Sequence, residues 1–123
     1  MLLIKRLFFI FIFSTSLSAT AYEVINRDYK LPPEQIRIDF SQSVYKKEAK
    51  LDFRPCKTCS WETYDINPHT DFFKKVSPID YIKFKQQVKR DSYNPPSKNF
   101  IVYISVNIKT KEVFTIKWDY LEL

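Results

Sequence analysis

The sequence predicts an α+β fold: a four-stranded, mostly antiparallel sheet in ββαββ order with one helix packed on its apolar face. Three observations predict it. Phe100, Val102, Ile104, Val106 and Ile108 occupy every second position, and Phe114, Ile116, Trp118 and Tyr120 repeat the pattern beyond Lys109-Thr110-Lys111. Ile36, Ile38 and Phe40, then Ala49, Leu51 and Phe53, show the same period on either side of Lys46-Lys47-Glu48. Between these two pairs, Tyr81, Phe84 and Val88 recur at i, i+3, i+7, the spacing of one helical face.

In chain order, residues 1–21 read as a cleaved secretory signal. Lys5-Arg6 precedes the apolar run Leu7 to Phe13, and Ala19-Thr20-Ala21 has the small-x-small pattern of a cleavage site. The run is far shorter than the roughly 20 residues a membrane span requires. Residues 22–123 are then expected to form a single small domain, secreted or periplasmic, with no transmembrane segment. They keep 18 of the 20 basic residues and all 14 acidic ones, so formal charge falls from +6 to +4. So small an excess, in an exported chain, gives no reason to expect a nucleic acid as partner.

Residues 22–35 read as an irregular arm ending at Pro32-Pro33. The first hairpin follows, over Ile36–Phe40 and Ala49–Phe53. Residues 55–76 form an irregular centre. Ser77, Pro78 and Asp80 supply helix-start signals, with Ser77 as cap and Pro78 in the first turn, and the helix is expected to end near Arg90, ahead of Asn94-Pro95-Pro96. The second hairpin closes the sheet. Its segment Val106-Asn107-Ile108-Lys109-Thr110-Lys111-Glu112-Val113 resembles hairpins of small exported bacterial domains such as PepSY modules. The likeness covers eight residues, lacks the usual turn glycine and implies no function.

Absences exclude several chemistries. With no glycine there is no phosphate-cradling glycine loop, dinucleotide fingerprint or G-x-S-x-G elbow. With one histidine, His69, no multi-histidine metal site can form within the chain. A zinc site built from Cys56, Cys59, His69 and Asp65 or Asp71 would lack the usual second Cys or His pair, so neither metal nor cofactor is expected. His69 between Asp65 and Asp71 reads as a surface histidine. Glu62, Asp65 and Asp71 could imitate a glycosidase pair, but such chemistry depends on a carboxyl separation that sequence does not define.

The local motif with chemical content is Cys56-Lys57-Thr58-Cys59, flanked by Arg54 and Trp61. In an exported protein the two cysteines are expected to pair. A loop this short contributes only about 2 kcal/mol on the chain-entropy model, so a structural staple and a redox role both stay open. Thiol–disulfide exchange would use Arg54 and Lys57 to favour the thiolate. The motif resembles the thioredoxin-like active site over four residues, but there it opens a helix, and the segment after it here contains Pro68 and lacks helical periodicity.

The favoured functional reading is non-enzymatic: a small exported protein that binds a protein partner in the envelope or extracellular space, as an inhibitor or immunity-type protector. Candidate contact residues are Tyr45, Ile101, Tyr103 and Val113 on the sheet side away from the helix, and Trp61 beside the cysteines. Tyrosines among charges suit protein recognition. The alternatives are a thiol–disulfide oxidoreductase using Cys56 and Cys59, and a peripheral membrane-surface protein using the basic amphipathic helix and Phe72-Phe73.

Overall fold

The computed structural model describes residues 25–40, 46–94 and 99–121. The expected signal and its cleavage position, and Tyr45, lie outside them. The fold is α+β with one helix, and the sheet has twice the number of strands expected. Among the described residues it holds eight strands: β1 (Asn26–Leu31), β2 (Ile36–Phe40), β3 (Ala49–Phe53), β4 (Glu62–Ile66), β5 (Asp71–Lys74), β6 (Ser77–Ile79), β7 (Val102–Asn107) and β8 (Glu112–Trp118). The helix α1 spans Tyr81–Tyr93. The strand order is β1-β7-β8-β4-β3-β2, with β5 on β8 and β6 on β5.

Both expected hairpins form, β2 with β3 and β7 with β8. The irregular arm is corrected: Asn26–Leu31 is a strand running antiparallel to β7. So is the irregular centre, where Tyr64 and Ile66 of β4 and Phe72 of β5 supply buried side chains. The two strands share one edge of β8. Asp65 pairs in parallel with Glu112, and farther along Asp71–Lys74 pairs in parallel with Thr115–Trp118. The turn between them is stitched by Thr70, fully buried, whose Oγ1 donates to the Val113 carbonyl at 2.7 Å and accepts from the Asn67 amide at 3.0 Å.

Helix α1 starts three residues later than expected and ends at Tyr93 rather than near Arg90. Asp80 is the cap, its Oδ1 accepting the Lys83 amide at 2.8 Å. Ser77-Pro78-Ile79 is instead an edge strand. Proline fits there because its missing N–H removes no bond the sheet centre would need. The pairing of Ile79 with Phe72 then brings the chain under the helix.

The core lies inside a curled sheet, with Tyr29 of β1 and Phe53 of β3 only 4.9 Å apart between ring centroids, and α1 covers the part around Phe72. Phe84, wholly buried, stacks on Phe72 with centroids 4.4 Å apart and meets Phe40 and Trp118 edge-on at 6.1 and 6.0 Å. Two polar handles fix the packing: Trp118 Nε1 donates to Asp91 at 2.6 Å, and the Tyr81 hydroxyl donates to the Glu48 carbonyl at 3.1 Å. Tyr81 and Phe84 of the helix and Phe72 of β5 are therefore buried in the core, while Ile82 of the helix stays exposed. Among the described residues no helix is long and apolar enough to cross a membrane.

With no glycine in the chain, Lys75, Lys111 and Asp119 take up left-handed backbone conformations, at φ of 57°, 61° and 56°. Each costs on the order of 1 kcal/mol relative to glycine. Lys75 turns the β5–β6 hairpin. Lys111 closes the β7–β8 turn, where Asn107 Oδ1 accepts the amides of Lys109 and Thr110.

Candidate functional site

Register builds an ordered row on the outer face, away from α1. Lys30 of β1 lies opposite Tyr103 of β7, Tyr103 opposite Lys117 of β8, and Lys117 opposite Phe73 of β5. Directly opposed side chains in a sheet point the same way, so cation, ring, cation and ring stand side by side. The Lys117 ammonium is 5.0 Å from the Tyr103 ring centroid, 5.5 Å from Phe73 and 5.6 Å from Tyr120. Lys30 lies 5.5 Å over Tyr120, and Tyr120 is 5.3 Å from Tyr103. The Tyr120 amide donates to the Ile101 carbonyl at 2.8 Å, which places exposed Ile101 beside this cluster.

Tyr103 is half-buried in the row. Its phenol is pushed above its ordinary value, first by burial, then by its hydrogen bond to Asp28 and that carboxylate's charge. It remains protonated, an amphipathic ring with a polar tip. The face can therefore offer cations on a rigid aromatic platform, each such contact worth about 0.5–1 kcal/mol at an exposed site.

The sequence-predicted contact residues separate. Ile101 and Tyr103 belong to this face. Val113 does not: it is 1% exposed. A bulge explains the correction, because the pairing steps from Ser105–Thr115 to Val106–Val113 and passes over Phe114. Strict alternation put Val113 outside, and the extra residue returns it to the core. Trp61 stands in another cluster, with the guanidiniums of Arg37 and Arg54 at 4.0 and 4.9 Å from its ring centroid. Sequence reasoning missed Tyr120, Lys30 and Phe73 as members of the face. Tyr120 continues the inward alternation of Ile116 and Trp118, but left-handed Asp119 breaks that phase.

Cys56 and Cys59 form a disulfide across a tight turn between β3 and β4, with Cα atoms 5.0 Å apart. Cys56 is exposed and Cys59 partly so. Neither lies at a helix N-terminus, where a thiolate would gain most from the backbone dipole. A cleft of about 410 Å³ opens at one end of β2–β4, with Asp39, Glu48 and Asp65 in its lining. Asp65 there is ion-paired with Lys50. His69 is exposed in the turn after β4, its amide held by Asn67 Oδ1 at 2.8 Å. Among the described residues, no group of three or more His, Cys, Asp or Glu is gathered to hold a metal. Compared with known proteins, the chain matches no family model, no curated protein and no solved structure.

Proposed function

We propose that this is a small exported, non-enzymatic binding domain that recognises a protein partner through the outer face of β1, β7, β8 and β5, acting as an inhibitor or immunity-type protector. The observation that carries the reading is the row Lys30–Tyr103–Lys117–Phe73, with Tyr120 and Ile101 beside it. Rings fixed by a sheet lose little conformational entropy on association, and tyrosine is enriched among the residues that dominate interface energetics. The reading is tested by immobilising the protein and its Tyr103→Ala variant in parallel and exposing both to envelope extract and culture fluid. A protein retained by the parent and lost about tenfold from a variant of unchanged melting temperature supports it. Equal retention by both, or a variant that fails to fold, contradicts it.

A second reading is thiol–disulfide exchange, favoured by the exposure of Cys56. The reduction potential of the Cys56–Cys59 couple separates the two. A value below about −300 mV marks a structural staple, whereas one between about −200 and −120 mV places the pair among oxidising exchangers.

A further inference from the structure

A second surface lies between α1 and the β5–β6 hairpin. Phe72 is buried against the helix, and alternate residues of a strand share a side, so Lys74 projects to the helix side of β5 while Phe73 projects to the outer face. On α1, Lys83, Gln87 and Arg90 follow one stripe at i, i+4 and i+7, with Gln86 at its border. These side chains and Ile79 line a groove of about 210 Å³. Its lining contains three cations and two amides and no carboxylate.

The carboxylates at the two ends of the helix border the groove without lining it. Asp80 Oδ1 accepts the Lys83 amide at 2.8 Å, and Asp91 accepts Gln87 Nε2 at 3.1 Å and Trp118 Nε1 at 2.6 Å. Three like charges around one apolar floor repel, and an anion seated among them relieves that repulsion. We propose that this groove binds a phosphate-class oxyanion, either free or as the headgroup of an anionic lipid. Lys74 and Lys83 contribute point charges, Arg90 a bidentate fork, and Gln86 an amide donor. The headgroup source is an arm of the test because Val76, in the β5–β6 turn, and Ile82, on the helix, are exposed apolar side chains on the two elements that form the groove. This site is distinct from the partner face and does not depend on it.

The test uses the purified protein, its Lys83→Gln/Arg90→Gln variant and Lys57→Gln, which alters a cation in the disulfide turn. Backbone amide NMR shifts are followed on addition of inorganic phosphate at low salt. Co-sedimentation is measured with phosphatidylglycerol–phosphatidylcholine vesicles and with phosphatidylcholine alone. Shifts centred on Lys74, Lys83 and Arg90 without lipid-selective sedimentation identify a soluble oxyanion. Sedimentation selective for phosphatidylglycerol identifies a headgroup. In either case the double variant binds about twenty-fivefold more weakly, taking about fivefold per cation, and Lys57→Gln binds as the parent does. Neither signal, or a loss as large in Lys57→Gln, overturns the proposal.

Discussion

The two wings of the sheet solve the same problem differently. On the outer face of β2–β3–β4, opposite charges meet across strands: Arg37 opposes Asp52, which accepts Thr63 Oγ1 at 2.7 Å, and Asp39 opposes Lys50, which is ion-paired with Asp65. On the β1–β7–β8–β5 wing the outward neighbours of Lys117 are rings on both sides, Tyr103 and Phe73. The first wing sets carboxylates opposite Arg37 and Lys50 across the ladder, while Arg37 and Arg54 also stack on Trp61. On the second, Lys117 stands between two rings, and the carboxylate of Asp28 is hydrogen-bonded to Tyr103. The proposed partner face is the wing whose cations face rings, and not carboxylates, across the ladder.

The comparison can be broken most forcefully at a helix residue that touches both wings. Phe84 touches Phe40 on one side and Phe72 and Trp118 on the other. Phe84→Ala is expected to cost about 3–5 kcal/mol, read as a lowered urea midpoint, and to disorder both wings together. Removing the disulfide with Cys56→Ser/Cys59→Ser should cost about 2 kcal/mol by the same measurement and leave partner retention unchanged. Lys50→Glu opposes two carboxylates on the first wing and should cost no more than about 1 kcal/mol, with partner retention intact. Lys117→Glu should barely move stability yet abolish retention, and that inverse pattern is what sharpens the contrast.

The smallest effects concern single backbone and hydroxyl groups. Lys75→Gly relieves a left-handed lysine and should raise stability by about 0.5–1 kcal/mol. Tyr81 and Tyr103 both have phenols raised above their ordinary 10.0, in each case first by burial. For a group whose folded pKa is raised, the native state holds its proton longer than the unfolded chain. The stability so contributed is complete below about pH 10 and is lost as pH rises through the folded value. Denaturation midpoints measured above pH 10 should therefore fall less steeply for Tyr103→Phe than for the parent.

What sequence could and could not reveal follows from range. The β2–β3 and β7–β8 hairpins were legible because apolar residues at every second position mark one buried face, and the partner strand is close in the chain. Strand β1 was not: only Leu31 of its six residues is buried, and its register depends on β7, more than seventy positions away. Strands β4 and β5 are short, and Pro68 between them reads as irregularity, although Tyr64, Ile66 and Phe72 carry the core. At the candidate site, Tyr103 and Ile101 were legible from alternation alone. The approach of Phe73 to Lys117 was not, because it arises from a parallel pairing between strands about forty residues apart. Val113 and Tyr120 were placed on the wrong sides for one reason: a bulge and a left-handed aspartate each shift the phase by a residue, and such shifts leave little trace in composition.

The central claim is that the wing carrying Lys117, and not the wing carrying Lys50, meets the partner. The most direct measurement places a photo-crosslinking amino acid at Ser105, next to the row on β7, or at Thr63 on β4, and irradiates each protein in its native envelope or culture setting. The account predicts a discrete protein adduct from position 105 and none from position 63. An adduct from position 63 alone, or the same adduct from both, would contradict it.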